Sequence, residues 1–410
     1  MKIILGVTGS IASYKSYDLA RLLIKKGWEV KVVLSKGALE FLKPETFRYL
    51  GIQDVYLPQD DFNLKKLNSD QNVLHIELAK WADKIVIAPL SANSLSRIAL
   101  GLCDDLMVSI LLASGAKPIL LFPAMNTQMW LNKRIQDHVG KLILQENITI
   151  IPPDSGELVC GDTGVGKFPE INTIASLIET LNPLAIKNKK VLITAGATAS
   201  PIDPVRYVTN PSSGKMGLEV AKSFLSEGYK VTVLAGHNCT KEIEELLPHP
   251  YFTLIPTATT ERMKKAALEI FPDSDLYIST GAIADIEFDT SSTKLKKEQM
   301  GNQLKFRQAA DILKEILSLK KSHQKVVSFA AETETTDEVF LEKMRRKPVD
   351  LMIGNKVANG LIEDESILGF QKNDGEYYFI TSTSIQGPYP LKKKQIGEKL
   401  VQWFQEKKSW

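Results

Sequence analysis

Short continuous apolar runs alternate along this chain with stretches in which apolar residues return every three to four positions. Ile3–Val7 reads as a buried strand, a glycine turn follows, Ser13–Lys26 has the helical period, and Glu29–Leu34 is a second strand. Further runs stand at Lys84–Ala88, Ile119–Phe122 and Thr149–Ile151, with helical patterns such as Leu106–Ala113 between them. A helix over Ile171–Leu181 is broken at Asn182-Pro183, and the polar run Lys187–Lys190 reads as a linker. The pattern then restarts with strand Val191–Thr194, helix Leu218–Glu227 and strand Lys230–Leu234, followed by strands Leu276–Ser279, Val326–Phe329 and Leu351–Gly354. Buried strands alternating with amphipathic helices predict an α/β protein with doubly wound, mostly parallel sheets. The expected domains are 1–185 and 191–410, with 186–190 between them.

The turns at strand ends carry the chemistry. The longest, TAGATASPIDPVRYVTNPSSGKMG over Thr194–Gly217, leads from a strand into a helix. Such connections usually take about two to six residues, so a loop this long has a function. Its glycines and serines place backbone N–H groups where a phosphate can sit. Arg206, Asn210, Ser212, Ser213 and Lys215 suit a phosphorylated or carboxylated substrate. It is not GxxxxGK[ST], because Thr209 and Met216 occupy required positions, and it is not GxGxxG.

The opening turn puts Gly9 and Ser10 at a helix N-terminus. The second strand ends in Ser35-Lys36, without the acidic residue that would hold a dinucleotide's ribose, so a mononucleotide such as a flavin phosphate is favoured over NAD. Two more polar turns, Ala88–Ser94 and Pro123–Trp130, follow buried strands, where open α/β sheets bind ligands. Cys160 lies in the glycine-rich Ser155–Gly166, which reads as a mobile flap able to close over a substrate. His75 starts a helix that leads to Trp81, and it reads equally as a base or as a structural histidine.

Composition narrows the class only slightly. The 410 residues accommodate two or three domains, and a net charge of +3 gives no case for nucleic acid or a membrane. The opening MKIILGVTGS breaks at Gly6, too early for a signal peptide, and no later run approaches membrane-spanning length. Cys103, Cys160 and Cys239 are widely separated and odd in number, which argues against a disulfide framework, and no Cys/His pair has zinc spacing. A cytoplasmic protein is expected.

Taken together, HIEL with His75, PLSANS, PAMNTQMW with Asn126 and the Cys160 segment resemble the flavin-dependent phosphopantothenoylcysteine decarboxylases. The DPVRYVTNPSSGKMG segment resembles the phosphopantothenate–cysteine ligases, and the two in this order resemble the bifunctional bacterial enzymes of coenzyme A biosynthesis over nearly the whole chain. The resemblance implies two tandem Rossmann-like or flavodoxin-like domains, a flavoprotein domain followed by a ligase domain. It implies coupling of 4′-phosphopantothenate to L-cysteine with CTP through an acyl-cytidylate, then FMN-dependent decarboxylation of 4′-phosphopantothenoylcysteine to 4′-phosphopantetheine.

Residue by residue, the resemblance makes His75 the base, Asn126 the group on the substrate carboxylate and Cys160 the proton donor, with FMN held by Gly9, Ser10, Ile11, Ala12, Ser35, Ser91, Ala92 and Asn93. In the ligase half it assigns Arg206 to a carboxylate or phosphate, Asn210 to the acyl-transfer step and Lys294 to the triphosphate. It places CTP among Ser279, Thr280, Gly281, Asp285, Ala310, Asp311, Ile312, Leu313, Phe329, Lys343 and Lys347. Mg2+ is implied as a cofactor held mainly by the CTP phosphates, with Asp285 as a candidate protein ligand. A homo-oligomer is implied too, a dodecamer built from trimers and dimers.

The chain departs from the family pattern in three places. TAGGT becomes Thr194–Thr198 with Ala197, the usual Lys-Asn-Pro-Asp becomes Gln308–Asp311, and one residue is missing between Asp285 and Lys294. The residues alone do not separate CTP from ATP. The competing readings are a non-catalytic flavoprotein regulatory subunit and a nicotinamide-dependent oxidoreductase. Retention of His75 and Cys160 counts against the first, and absence of GxGxxG against the second.

Overall fold

The computed structural model describes residues 1–66, 73–158, 161, 163–296, 305–357 and 373–406. The chain forms two compact units, Met1–Leu184 and Ala185–Trp410.

In the first unit, β1 (Lys2–Val7), β2 (Glu29–Leu34), β3 (Val55–Tyr56), β4 (Lys84–Leu90), β5 (Ile119–Pro123) and β6 (Ile148–Ile150) make one sheet in the order β3-β2-β1-β4-β5-β6. Every pairing in it is parallel. Alternation along β1 feeds two cores. Ile3, Leu5 and Val7 pack with α1 (Lys15–Lys25) and with the helix Ile171–Thr180, while Ile4 joins the helices Leu74–Trp81 and Leu106–Ala113 on the other face. Each fully buried Ile or Leu contributes about 1.5–3 kcal/mol. Strand order reverses between β1 and β4, and the crevice at such a switch point is where open α/β sheets place ligands.

A hairpin, β7 (Asp154–Glu157) and β8 (Thr163–Lys167), stands apart from the sheet. The expected flap is thus two antiparallel strands, and Cys160 itself lies outside the described residues.

The second unit repeats the plan. Its strands are β9 (Lys190–Ala195), β10 (Ala199–Pro201), β11 (Tyr207–Thr209), β12 (Lys230–Ala235), β13 (Phe252–Pro256), β14 (Leu276–Ser279), β15 (Ile286–Phe288), β16 (Phe306–Gln308), β17 (Lys325–Glu332), β18 (Leu351–Lys356), β19 (Asp374–Ile380) and β20 (Ile385–Lys392). The main sheet runs β13-β12-β9-β14-β17-β18-β19-β20, parallel as far as β18 and antiparallel beyond it. The linker run therefore ends one residue early, since Lys190 already belongs to β9. The long loop after β9 folds into the ribbon β10–β11 before the helix Lys215–Ser226, which starts three residues earlier than its apolar period because Gly214, at φ +73°, begins it from the left-handed region.

Candidate active sites

In the first unit, three turns at the carboxyl ends of β1, β4 and β5 are stitched to one another. Thr8 Oγ1 donates to the Pro89 carbonyl (2.9 Å) and accepts from the Ser91 N–H (2.6 Å). Ser10 Oγ donates to the Ala124 carbonyl (3.1 Å), and the Ala124 N–H donates to Leu90 (3.0 Å). Ser35 closes its own turn by accepting from the Ala38 N–H (3.2 Å). Gly9 is required here: a Cβ would stand 2.9 Å from the Gly37 backbone, so the turns after β1 and β2 could not approach.

Beside these turns lies a cavity of about 400 Å³, lined by Gly9, Ser10, Ile11, Ala12, Asn126 and hairpin residues including Glu157 and Leu158. Asn126 caps the short helix Thr127–Leu131 through its Oδ1, which accepts from the Gln128 N–H (2.8 Å). The hairpin is lashed to this turn. The Met125 N–H donates to the Gly166 carbonyl (3.2 Å), and any side chain on Gly166 would run into the Met125 carbonyl.

Ser35, Ser91, Ala92 and Asn93 hold or flank the neighbouring turns without lining this cavity, and His75 does not line it either. His75 instead forms a dyad that the sequence reading missed. Its Nδ1 lies 2.8 and 2.9 Å from the two carboxylate oxygens of Asp61, and its backbone N–H donates to Asp61 Oδ1 (3.2 Å). A carboxylate only accepts, so Nδ1 carries the hydrogen and Nε2 is the nitrogen left for a substrate. Nothing in the spacing of Asp61 and His75 announces the pair, since they belong to different elements.

The second unit has its cavity at the carboxyl edge of β14, β17 and β18. It measures about 480 Å³ and is lined by Ser212–Met216, Thr280–Ile283, Asp285, Leu313, Ser328–Ala331, Lys343, Arg346, Lys347, Met352, Asn355, Tyr377 and Lys393. Of the expected nucleotide residues, Thr280, Gly281, Asp285, Leu313, Phe329, Lys343 and Lys347 meet here, whereas Ser279, Lys294, Ala310, Asp311 and Ile312 are not in the lining. Asp311 reaches the wall indirectly, 2.8 Å from Lys347 Nζ, while its Oδ1 caps the helix Ile312–Leu319 by accepting from the Lys314 N–H (3.1 Å). Burial works against the Asp311 charge, yet Lys347 and that N–H hold its carboxyl below the usual range. Lys343, paired with Glu332, is pulled down by burial and by the neighbouring charges of Lys347 and Arg346, with Asp285 opposing. Arg346, Asn355, Tyr377 and Lys393 were not singled out from the sequence; a lysine opening a terminal helix looks like any solvated one.

Arg206 does not present an open fork. Its guanidinium pairs with buried Asp203, Nε donating at 3.0 Å, and Nη2 donates to the Leu295 carbonyl (2.8 Å). Asp203 also accepts from the N–H groups of Val205 (2.8 Å), Arg206 (2.8 Å) and Leu295 (3.2 Å). That set holds the Asp203 carboxyl well below the usual carboxylate range. The clamp ties the long loop to the segment carrying exposed Lys294. Asn210 Nδ2 donates to the Ala282 carbonyl (3.4 Å), beside the cavity. Ala197, the extra methyl in the glycine turn, is fully buried and does not line the cavity. Among the described residues no three His, Cys, Asp or Glu side chains group as a metal cage, and no helix is long and apolar enough to cross a membrane.

Residues 1–182 match the Flavoprotein family, and residues 186–407 match the DNA/pantothenate metabolism flavoprotein C-terminal domain. The coenzyme A biosynthesis bifunctional protein CoaBC of Bacillus subtilis is 36% identical over 366 residues, covering 87% of this chain and 86% of that protein. Its counterpart in Haemophilus influenzae is 36% identical over 381 residues, covering 90% and 91%. Among solved structures, a mutant PPC decarboxylase complexed with pantothenoylaminoethenethiol is 39% identical, covering 43% of this chain and 95% of its own, with a TM-score of 0.39.

Proposed function

Because the chain belongs to the family of coenzyme A biosynthesis bifunctional proteins, with a flavoprotein decarboxylase domain followed by a ligase domain, we propose that its two cavities perform the two reactions in sequence. The ligase cavity couples 4′-phosphopantothenate to L-cysteine with CTP, and the first unit's cavity decarboxylates the product to 4′-phosphopantetheine. The observation that carries this reading is that each cavity lies against turns at the carboxyl edge of the parallel strands of its own sheet, lined in part by residues of the diagnostic motifs.

FMN fits the first cavity. The volume, the glycine cradle at Gly9 and Ser10, and the apolar lining by Ile11, Ala12, Met125 and Phe168 suit a phosphate followed by a flat ring. Bound there, FMN supplies a reversible two-electron oxidation that gives the substrate an electron sink. Asn126 orients the departing carboxylate, and the Cys160 thiol returns the proton. His75 Nε2 is the base, held in its tautomer by Asp61. Ile11, Tyr14 and Met129 line the cavity yet are 51%, 57% and 49% exposed. That apolar rim supports a homo-oligomer, in keeping with the dodecamer of trimers and dimers that the family resemblance implies.

In the ligase cavity, Lys343, Arg346 and Lys347 oppose the charge that develops on the nucleotide phosphates, and Phe329 takes the base. Mg2+ would be held mainly by those phosphates, with Asp285 as the candidate protein ligand, and would supply charge neutralisation there. Asn210 supports the acyl oxygen, and the Arg206–Asp203 clamp positions the segment that brings Lys294 to the triphosphate.

Incubating the purified protein with 4′-phosphopantothenate, L-cysteine, Mg2+ and CTP yields 4′-phosphopantetheine by mass spectrometry, and ATP in place of CTP yields less. Absence of product overturns the proposal. Accumulation of 4′-phosphopantothenoylcysteine alone removes its flavin half.

A further inference from the structure

The wall of the ligase cavity carries a polar group that the reaction above does not use. Strand β17 forms part of that wall, and alternation along it separates two faces. Phe329 packs with the core under the helix Lys215–Ser226, whereas Val326 and Ala330, on the opposite face, pack with the core under the helices Ile312–Leu319 and Asp337–Arg346. Ser328 falls between Val326 and Ala330 in this alternation, so it shares their face. Its neighbour across the pairing of β14 with β17 is Ser279, where β14 stops, and the cavity takes in Ser328–Ala331 from that point on.

The surroundings of Ser328 are apolar. Ala330, Leu313 and Met352 line the cavity and belong to the core on the same face, and all three are buried. Among them Ser328 is 4% exposed, and its Oγ has no hydrogen-bond partner among the described residues. A buried hydroxyl left unpaired destabilises a fold, and alanine would fill the same space without that penalty. Lys343 and Arg346, on the helix that covers this face, and Lys347 at its end bring the charge for phosphates. What they leave unmatched is the nucleoside, whose flat apolar faces and few polar edges suit an apolar wall bearing one hydroxyl.

We propose that Ser328 is a nucleotide-recognition residue of the ligase cavity, its Oγ sharing a hydrogen bond with the nucleoside portion of CTP. The assignment deepens the ligase reading above and rests on it. A base edge and a ribose hydroxyl carry the same hydrogen-bonding chemistry, and nucleotide analogues separate them. The unpaired hydroxyl weakens the nucleotide-free fold and strengthens the bound one, so its removal acts in opposite directions on stability and on affinity.

Initial rates of pyrophosphate release are measured on the full-length, flavin-loaded protein, varying CTP, 4′-phosphopantothenate and L-cysteine in turn, and the nucleotide-free protein is melted. Ser328→Ala raises the KM for CTP by about three- to tenfold, with kcat within about twofold, the other two KM values unchanged and the melting temperature not lowered. A preference for CTP over UTP that this variant loses puts the hydroxyl on the base. A preference for CTP over 2′-deoxy-CTP that it loses puts the hydroxyl on the ribose. An unchanged KM for CTP overturns the proposal. So does a rise matched by weaker inhibition by pyrophosphate, which places Ser328 on the phosphates, and so does a rise in all three KM values with a lowered melting temperature, which makes the hydroxyl structural. Calorimetry with CTP alone distinguishes the two readings. If the wild type makes no phosphopantothenoylcysteine yet binds CTP more tightly than Ser328→Ala does, the ligase reading fails and the nucleoside contact stands.

Discussion

Asp61 decides which nitrogen of His75 can act. By taking the hydrogen on Nδ1 at 2.8 Å it leaves Nε2 as the basic atom, and its second contact, from the His75 backbone N–H, fixes the ring against its own helix. Asp61→Asn keeps the shape of the pair but can present an amide N–H where an acceptor is needed, favouring the wrong tautomer. General acid–base groups contribute on the order of 10²–10⁴ in rate, so decarboxylation of supplied 4′-phosphopantothenoylcysteine falls by roughly 10- to 100-fold in this variant. Pyrophosphate release by the ligase unit is unchanged. Equal decarboxylation rates in Asp61→Asn and wild type would remove Asp61 from its positioning role. Arg206 teaches the converse. A planar guanidinium in a polar loop reads as a substrate fork, but a buried aspartate three residues earlier occupies that fork.

At the level of elements, the strand–helix seams show which parts of the fold the chain announces. Lys84 starts β4, and its Nζ donates to the carbonyls of Ile178 (2.7 Å) and Leu181 (2.8 Å), closing the C-terminal end of the last helix of the first unit. Burial pulls this ammonium from the usual 10.5 down to about 8, against the opposing charges of Glu179 and Asp83. The unfolded chain therefore binds more protons than the folded one between about pH 8 and 10.5, and this group's contribution to stability rises with pH across that window. The gain is at most about 3.5 kcal/mol, since a tenfold change in proton affinity is worth about 1.4 kcal/mol. Lys84→Met removes the rise, which denaturant melts at pH 8 and pH 10 measure. An unchanged pH slope would exclude Lys84 as its source.

Parallel strands buried on both faces announce themselves as apolar runs, which is why β1, β2, β4 and β14 were legible. Strands β19 and β20 were not, because β20 has a largely exposed face and prolines at 388 and 390. The site divides similarly. The turns are local motifs and could be read, whereas Asp61 beside His75 and Lys393 beside Lys215 exist only after folding. Cys160 and its place in the family pattern rest on sequence alone.

For the whole molecule, each unit has its own pair of cores and its own cavity, so the two reactions are separable by mutation. Lys343→Ala lowers pyrophosphate release by about tenfold or more while decarboxylation of supplied 4′-phosphopantothenoylcysteine stays within about twofold. Loss of both activities in that variant would contradict separate sites. The eight-stranded sheet of the second unit also has to end somewhere. It ends on β20, where Pro388 and Pro390 remove two backbone donors from the outermost strand, and exposed Lys392 and Lys394, at its end and just beyond, add charge. A bare strand edge is a template for indiscriminate pairing with other chains, and prolines and lysines are the usual way to blunt one. The same residues that hid this strand from the sequence reading therefore blunt this edge of the sheet against pairing with another chain.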